Sequence, residues 1–300
     1  MAEKVVAKTR PRRKLVEGKG LLYHFLQKTL LEEDAEQFHA LTGRLVVALG
    51  VWLPPEAYQR YPILVPYAVR DPKCRGDKRR GDPDQWGAPD LKGRFRDDNS
   101  LVKGVPRSLE VLNPRNRLLH GKWLGTSFVA SHVWRKLTDG TDAPRDRTTY
   151  SFVPNLVWLP SQLSKLSDRE GGFVQTFLQA LSVKIYRAVP IERPLRHLVE
   201  PIWELLPERA EASKIDLPDV ADLNYFKFDE KWLMRRIRTL SSVVQALTDI
   251  CSGTAPVKKV VAARYGEGLE RVESSAATTL RDELSAYRDA VASAGVSPAA

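Results

Sequence analysis

Apolar positions recur at helical spacing near the start of the chain. Leu21, Leu22, Phe25, Leu26 and Leu30 share one side of a first predicted helix. Glu32, Glu33 and Asp34 open a second, which carries Phe38, Leu41, Leu45 and Val46. Pro54 and Pro55 end that pattern. From about residue 108 the pattern becomes strand-like: Ser108 to Leu112, a turn at Asn113-Pro114, then an apolar strand through Ser127 to Trp134. Leu156 to Leu159 is an unbroken apolar run between Pro154 and Pro160 and predicts a second short strand. Pro160 suits the first turn of a helix, where its missing N–H is not needed, and that helix is predicted over Ser161 to Asp168. Residues 172–188 predict an amphipathic helix with Phe173, Phe177, Leu178, Leu181 and Ile185 on one side. Beyond Pro190 and Pro194 the chain reads as helical. Residues 229–251 open on an Asp cap and carry an apolar stripe, and residues 268–292 form a last charged helix.

These elements predict an α+β fold: a small core of two strands and a helix embedded in a largely helical chain, with a helical C-terminal bundle. The expected organisation is a basic flexible arm over 1–18, a mixed α/β core over 19–190 with a candidate site at about 108–172, a helical region over 191–292, and a tail over 293–300.

Charge adds a partner to this picture. The chain has 300 residues and a formal net charge of +10, a balance that favours polyanions, nucleic acid ahead of an anionic membrane. No run of apolar residues is long enough for a transmembrane helix, and the basic N-terminus has no apolar core behind it, so it does not read as a secretory signal. Cys74 and Cys251 are too few for a disulfide framework or a cysteine zinc site, and a cytoplasmic location fits them. The arm carries Lys4, Lys8, Arg10, Arg12, Arg13 and Lys14, which suits either a phosphate backbone or a solvated tail. Residues 71–107 hold ten Lys/Arg and seven Asp among five glycines, and they read as loops around short strands. Their charges form either a solvated surface or a DNA-contacting loop. In the second case Arg75, Lys78, Arg79, Arg80, Arg94, Arg96, Lys103 and Arg107 face phosphates, and Trp86 or Phe95 stacks. The interleaved aromatics favour contact.

Several chemistries lose support. There is no Walker A loop, dinucleotide-binding glycine motif, H-E-x-x-H or G-x-S-x-G. Asp84 and Asp90-Leu91-Lys92 have the letters of a PD-(D/E)xK nuclease, but the acidic positions are too close for two strands. His24 and His39 read as ordinary helix residues, and His120 and His197 as surface ones.

The remaining constellation is ordered. His132 ends an apolar strand; a polar loop follows with Asp139, Asp142 and Asp146; Asn155 heads the second strand in NLVWLP; the helix then brings Asp168. This order resembles the His-Me finger (HNH-type, ββα-metal) endonucleases. The resemblance implies a ββα-metal-like core in which His132 activates water and Asn155 pins the loop. It also implies one divalent cation, Mg2+ or Mn2+, that stabilises charge on the phosphate oxygens. Ser131 and Ser164 stand where the family carries metal ligands, so the resemblance shifts that role to Asp168 with Asp139, Asp142 or Asp146. The expected function is a metal-dependent DNA endonuclease of restriction or defence type, a homodimer if it cuts both strands. The alternative is a non-catalytic nucleic-acid-binding protein or subunit. A helical scaffold for an acidic protein is a third, weaker reading.

Overall fold

The structure, a computed structural model, describes residues 32–71, 93–208, 215–261, 263 and 265–294. The arm, the first predicted helix, Arg75, Lys78, Arg79, Arg80, Trp86, the Asp84 to Lys92 letters and residues 295–300 lie outside the described residues. The chain divides into compact units of residues 1–41 and 42–300. Of the first unit, only the helical turns of 32–41 are described.

The helix predicted from Glu32 is α1, Glu32–Leu49. It is followed by β1 (Val51–Trp52), α2 (Pro55–Arg60), β2 (Ala68–Arg70), β3 (Phe95–Asp97), α3 (Ser100–Gly104) and β4 (Val111–Leu112). Then come β5 (Phe128–His132), β6 (Leu156–Pro160), α4 (Ser161–Ser164), α5 (Phe173–Tyr186), α6 (Arg196–Leu205) and β7 (Asn224–Phe226). The last helices are α7 (Glu230–Cys251), α8 (Lys258–Val261) and α9 (Ser274–Ser293). The fold is mixed α and β, as the pattern predicts.

A mixed five-stranded sheet runs in the order β4-β7-β1-β6-β5. β6 lies between β1 and β5, antiparallel to both, and its Leu156, Val157, Trp158 and Leu159 are all buried. An unbroken apolar run is what a strand covered on both faces requires. β5 pairs with β6 in the register His132 with Leu156 and Phe128 with Pro160. β2 and β3 form a separate parallel pair, with Arg70 opposite Asp97.

Two differences from the sequence pattern have local causes. Helices alone are expected after Pro190, yet Asn224–Phe226 form β7 between β4 and β1. Its anchor is Asn224, fully buried, whose Nδ2 donates to the carbonyls of Gly50, Val47 and Ala48 at 2.9, 3.1 and 3.2 Å. Val47 and Ala48 are among the carbonyls that the end of α1 leaves without helical partners, and Gly50 follows the helix directly. Second, α5 is not half-solvated. Its polar side chains Gln175, Gln179 and Ser182 are buried along with its apolar face.

The core is rich in aromatic rings. Tyr58 of α2 sits 5.3–6.5 Å from the rings of Phe152, Tyr186 and Trp203, and Trp203 packs edge-on against Trp134. Each such pair adds about 0.5–1.5 kcal/mol beyond the area it buries. α9 is tied to the front of the chain by Tyr287, whose hydroxyl accepts from Ile63 N and donates to Ile63 O, both at 2.9 Å. Asp229 caps α7 by accepting from Trp232 N at 2.6 Å, as its position before the helix predicts. Among the described residues, no helix is long and apolar enough to cross a membrane.

Candidate functional site

β5, β6 and α4 follow one another as strand, strand and helix, with His132 at the end of β5. Its ring is almost wholly buried, and Nε2 lies 2.9 Å from the Tyr150 carbonyl. A carbonyl only accepts, so Nε2 carries the proton and Nδ1 keeps the lone pair. Burial pushes the imidazole pKa down to about 3, and the Arg70 and Arg135 cations add to the shift against the opposing pull of the Tyr150 carbonyl and Asp168. The ring is therefore neutral at neutral pH.

The carbonyl that orients His132 is itself held. The Tyr150 hydroxyl donates to Asp97 Oδ2 at 2.6 Å. Burial, with Asp97 beside it, pushes the phenol well above its ordinary range, so it stays a donor. Asp97 is fully buried at the end of β3 and also accepts at 2.9 Å from the Ser100 hydroxyl and from Leu101 N, a backbone donor that the first turn of α3 leaves unpaired. Asn155 spans the ends of the loop between β5 and β6. Its Oδ1 accepts from Trp134 N at 2.7 Å and its Nδ2 donates to Thr149 O at 2.8 Å. From below, Ser182 donates to Pro154 O at 2.6 Å and Gln179 to Val133 O at 3.3 Å. The buried polar side of α5 thus serves the carbonyls of this loop.

His132 lines a polar pocket of about 300 Å3 together with Ser131, Ser161 and Ser164. Four cations, Arg70, Lys103, Arg135 and Lys165, line it against two carboxylates, Asp98 and Asp168. Asp168 accepts from Arg135 at 2.7 Å. Of the sequence-predicted residues, the structure brings His132, Asp168 and Lys103 to this pocket, with Asn155 holding the loop behind it. Asp139, Asp142 and Asp146 do not line it. Asp139 accepts from Thr141, Asp142 pairs with Lys136 at 2.7 Å, and Asp146 accepts from Thr148 and Thr149. Ser164 donates back to Ser161 O at 2.9 Å. Arg96, in β3, pairs with Asp71 at 3.6 Å; Arg94 lies just before β3, and Arg107 is exposed after α3. Sequence reasoning missed Arg70, Arg135, Lys165 and Asp98, because no motif spacing joins them. The Asp97-Asp98-Asn99-Ser100 run, a turn signal before a helix, was the one local hint.

Among the described residues, no group of three or more His, Cys, Asp or Glu could hold a metal ion. The pocket offers two carboxylates, the number with which Mg2+ is commonly held when substrate phosphate and water complete its shell. Comparison with known proteins gave no match: no protein-family model, curated protein or solved structure matches the chain.

Burial of neutral His132 has a consequence for stability. Between about pH 6.5 and about 3 the unfolded chain binds this proton and the folded chain does not. The contribution is complete above the unfolded pKa and is lost as pH falls toward the folded one, at up to about 1.4 kcal/mol per pH unit. The lowered pKa values of Asp139 and Asp142 act in the same direction, so a variant must separate them. Urea unfolding at about pH 7 and about pH 4.5 is expected to show a larger loss for the wild type than for His132→Gln. Equal losses would remove His132 as a source of acid sensitivity.

Proposed function

We propose that the pocket at His132 binds the backbone of a nucleic acid and that the chain is a metal-dependent endonuclease of restriction or defence type. The observation that carries this reading is a neutral imidazole, with its tautomer set by the Tyr150 carbonyl, in a pocket with two more cations than carboxylates. Arg70, Lys103, Arg135 and Lys165 supply the charge that a phosphodiester needs to enter a partly buried site. With Nε2–H committed, Nδ1 is the ring atom able to take a proton from an attacking water. An entering phosphate offsets the two arginines that depress the imidazole, so the base gains strength as substrate binds. Asp97, Tyr150 and Asn155 keep the ring and its loop in place. Asp168 and Asp98 would hold Mg2+ or Mn2+ jointly with substrate, and the ion would neutralise charge developing on the phosphate oxygens. In this reading a homodimer sets two pockets on the two strands of a duplex.

A second reading, a non-catalytic nucleic-acid-binding protein or subunit, is favoured by Ser131 and Ser164 at the positions where metal ligands are expected and by the ion pair that engages Asp168. One experiment separates them. Wild-type protein is incubated with supercoiled plasmid and with RNA, in Mg2+, Mn2+ or EDTA, while binding is measured across a salt series. The endonuclease reading expects strand scission with metal and none in EDTA, and binding that weakens as salt rises. Salt-sensitive binding without scission on any substrate would leave the binder. Absence of both would overturn both.

A further inference from the structure

Residues 113–125, between β4 and β5, form a loop that carries Arg115, Arg117 and Lys122 and no acidic residue. Two large apolar side chains project from it: Leu118 is 72% exposed and Trp123 60%. The other five described tryptophans, Trp52, Trp134, Trp158, Trp203 and Trp232, are all buried. Leaving an indole in water forgoes the burial of one of the largest apolar side chains, which makes this exposure notable in a chain that buries its other described indoles.

The loop is also firmly fastened. Asn113 Nδ2 donates to Asp222 O at 3.0 Å, and Asn116 Nδ2 to Ala48 O at 2.7 Å. Val111 exchanges backbone hydrogen bonds with Lys122 O and Gly121 N, both at 2.8 Å. Asn113 N donates to His120 Nδ1 at 3.1 Å. Hydrogen-bonded from Asn113 to Lys122, with Leu119 and Leu124 packed against the core on either side of Lys122 and Trp123, the loop presents Leu118 and Trp123 without a large ordering cost on binding. Its far end, Leu124 and Gly125, shares a crevice with Lys103 and Arg107, and Lys103 also lines the His132 pocket. Arg115 pairs with Asp222, which leaves Arg117 and Lys122 as the loop's remaining cations, and Lys103 lies between the loop's far end and the pocket.

We propose that this loop is a base-stacking platform, on which Trp123 receives an unpaired nucleobase of the strand whose backbone enters the His132 pocket, with the exposed Leu118 of the same loop adding apolar surface. The inference rests on the reading of that pocket as a phosphate-backbone site. Every nucleobase has a π face to lay on an indole, whereas in a duplex those faces are covered by neighbouring pairs. Lys122 precedes the indole directly and Arg117 precedes Leu118, and both suit the adjoining phosphates. The platform therefore favours single-stranded or locally opened nucleic acid of any sequence.

The test measures fluorescence anisotropy of a labelled single-stranded oligonucleotide, and of the matching duplex, in EDTA at low salt. Wild type, Trp123→Ala, Trp123→Phe and Arg135→Ala are compared. Trp123→Ala is expected to weaken single-strand binding by about ten-fold or more and to leave duplex binding nearly unchanged. Trp123→Phe is expected to retain most of the affinity, and Arg135→Ala to weaken both ligands. Unchanged single-strand affinity in Trp123→Ala, with Arg135→Ala impaired, would overturn the platform and leave the pocket reading standing. A loss in Trp123→Ala with Arg135→Ala unaffected would remove the pocket from the interface and overturn the proposal that one strand occupies both. No binding by wild type, or capture of a protein rather than an oligonucleotide by this loop, would overturn the platform.

Discussion

His132→Ala is expected to lower phosphodiester cleavage by about 10²- to 10⁴-fold, the range that a positioned general base contributes. Nucleic-acid binding is expected to persist, because the four pocket cations are untouched and a neutral imidazole adds no charge to the encounter. The substitution also leaves the Tyr150 carbonyl without its ring partner. An unsatisfied buried acceptor costs roughly 1–3 kcal/mol, so the variant must be shown to be folded at the assay temperature. His132→Gln is the companion, since its amide can still donate to that carbonyl but is no useful base. The readout is the initial rate of plasmid nicking beside anisotropy and thermal melting. Slow cleavage in both variants, with binding and folding retained, locates the chemistry at His132. Cleavage at the wild-type rate in either would move it elsewhere.

Asn155→Ala should be among the most damaging single changes to stability, at about 2–5 kcal/mol. The side chain is fully buried, and its two hydrogen bonds close the loop between β5 and β6. Truncation strands one donor, Trp134 N, and one acceptor, Thr149 O, each at roughly 1–3 kcal/mol. Asn155→Asp is expected to do no better: it keeps the acceptor for Trp134 N but sets carboxylate oxygen against the Thr149 carbonyl in a buried site. Urea unfolding gives the size of the effect, and hydrogen exchange over 133–154 shows whether the loop opens first. A loss below about 0.5 kcal/mol would mean that the rings of Tyr58, Phe152 and Trp203, with Thr149 Oγ1 on Ala143 O, hold the loop unaided.

Much of the local structure was legible in the chain. The apolar run Leu156–Leu159 between prolines predicted β6, the acidic start at Glu32 predicted α1, and Asp229 predicted the cap of α7, because each outcome depends on residues a few positions apart. The role of Asn155 as a loop pin also has a local expression, since both of its partners lie within the segment it closes. β7 was not legible. Three residues carry too little periodicity to mark a strand, and Asn224–Phe226 becomes one because α1 offers it the carbonyls of Val47 and Ala48 and β1 an edge to pair with. The loop aspartates mislead for the same reason in reverse: Asp139, Asp142 and Asp146 follow His132 closely in sequence, yet each is satisfied by a neighbour in its own turn.

By itself, the sequence determined the two strands β5 and β6 and the start of α4 after Pro160, and that the protein carries a surplus of positive charge. Tertiary structure alone decided that Arg70, Lys103, Arg135 and Lys165, from four separate segments, share one pocket with that histidine, and that Asp97 holds its orienting carbonyl through Tyr150. Backbone preference and periodicity act between near neighbours. The field around a buried imidazole is the sum of charges that only packing brings within a few ångströms.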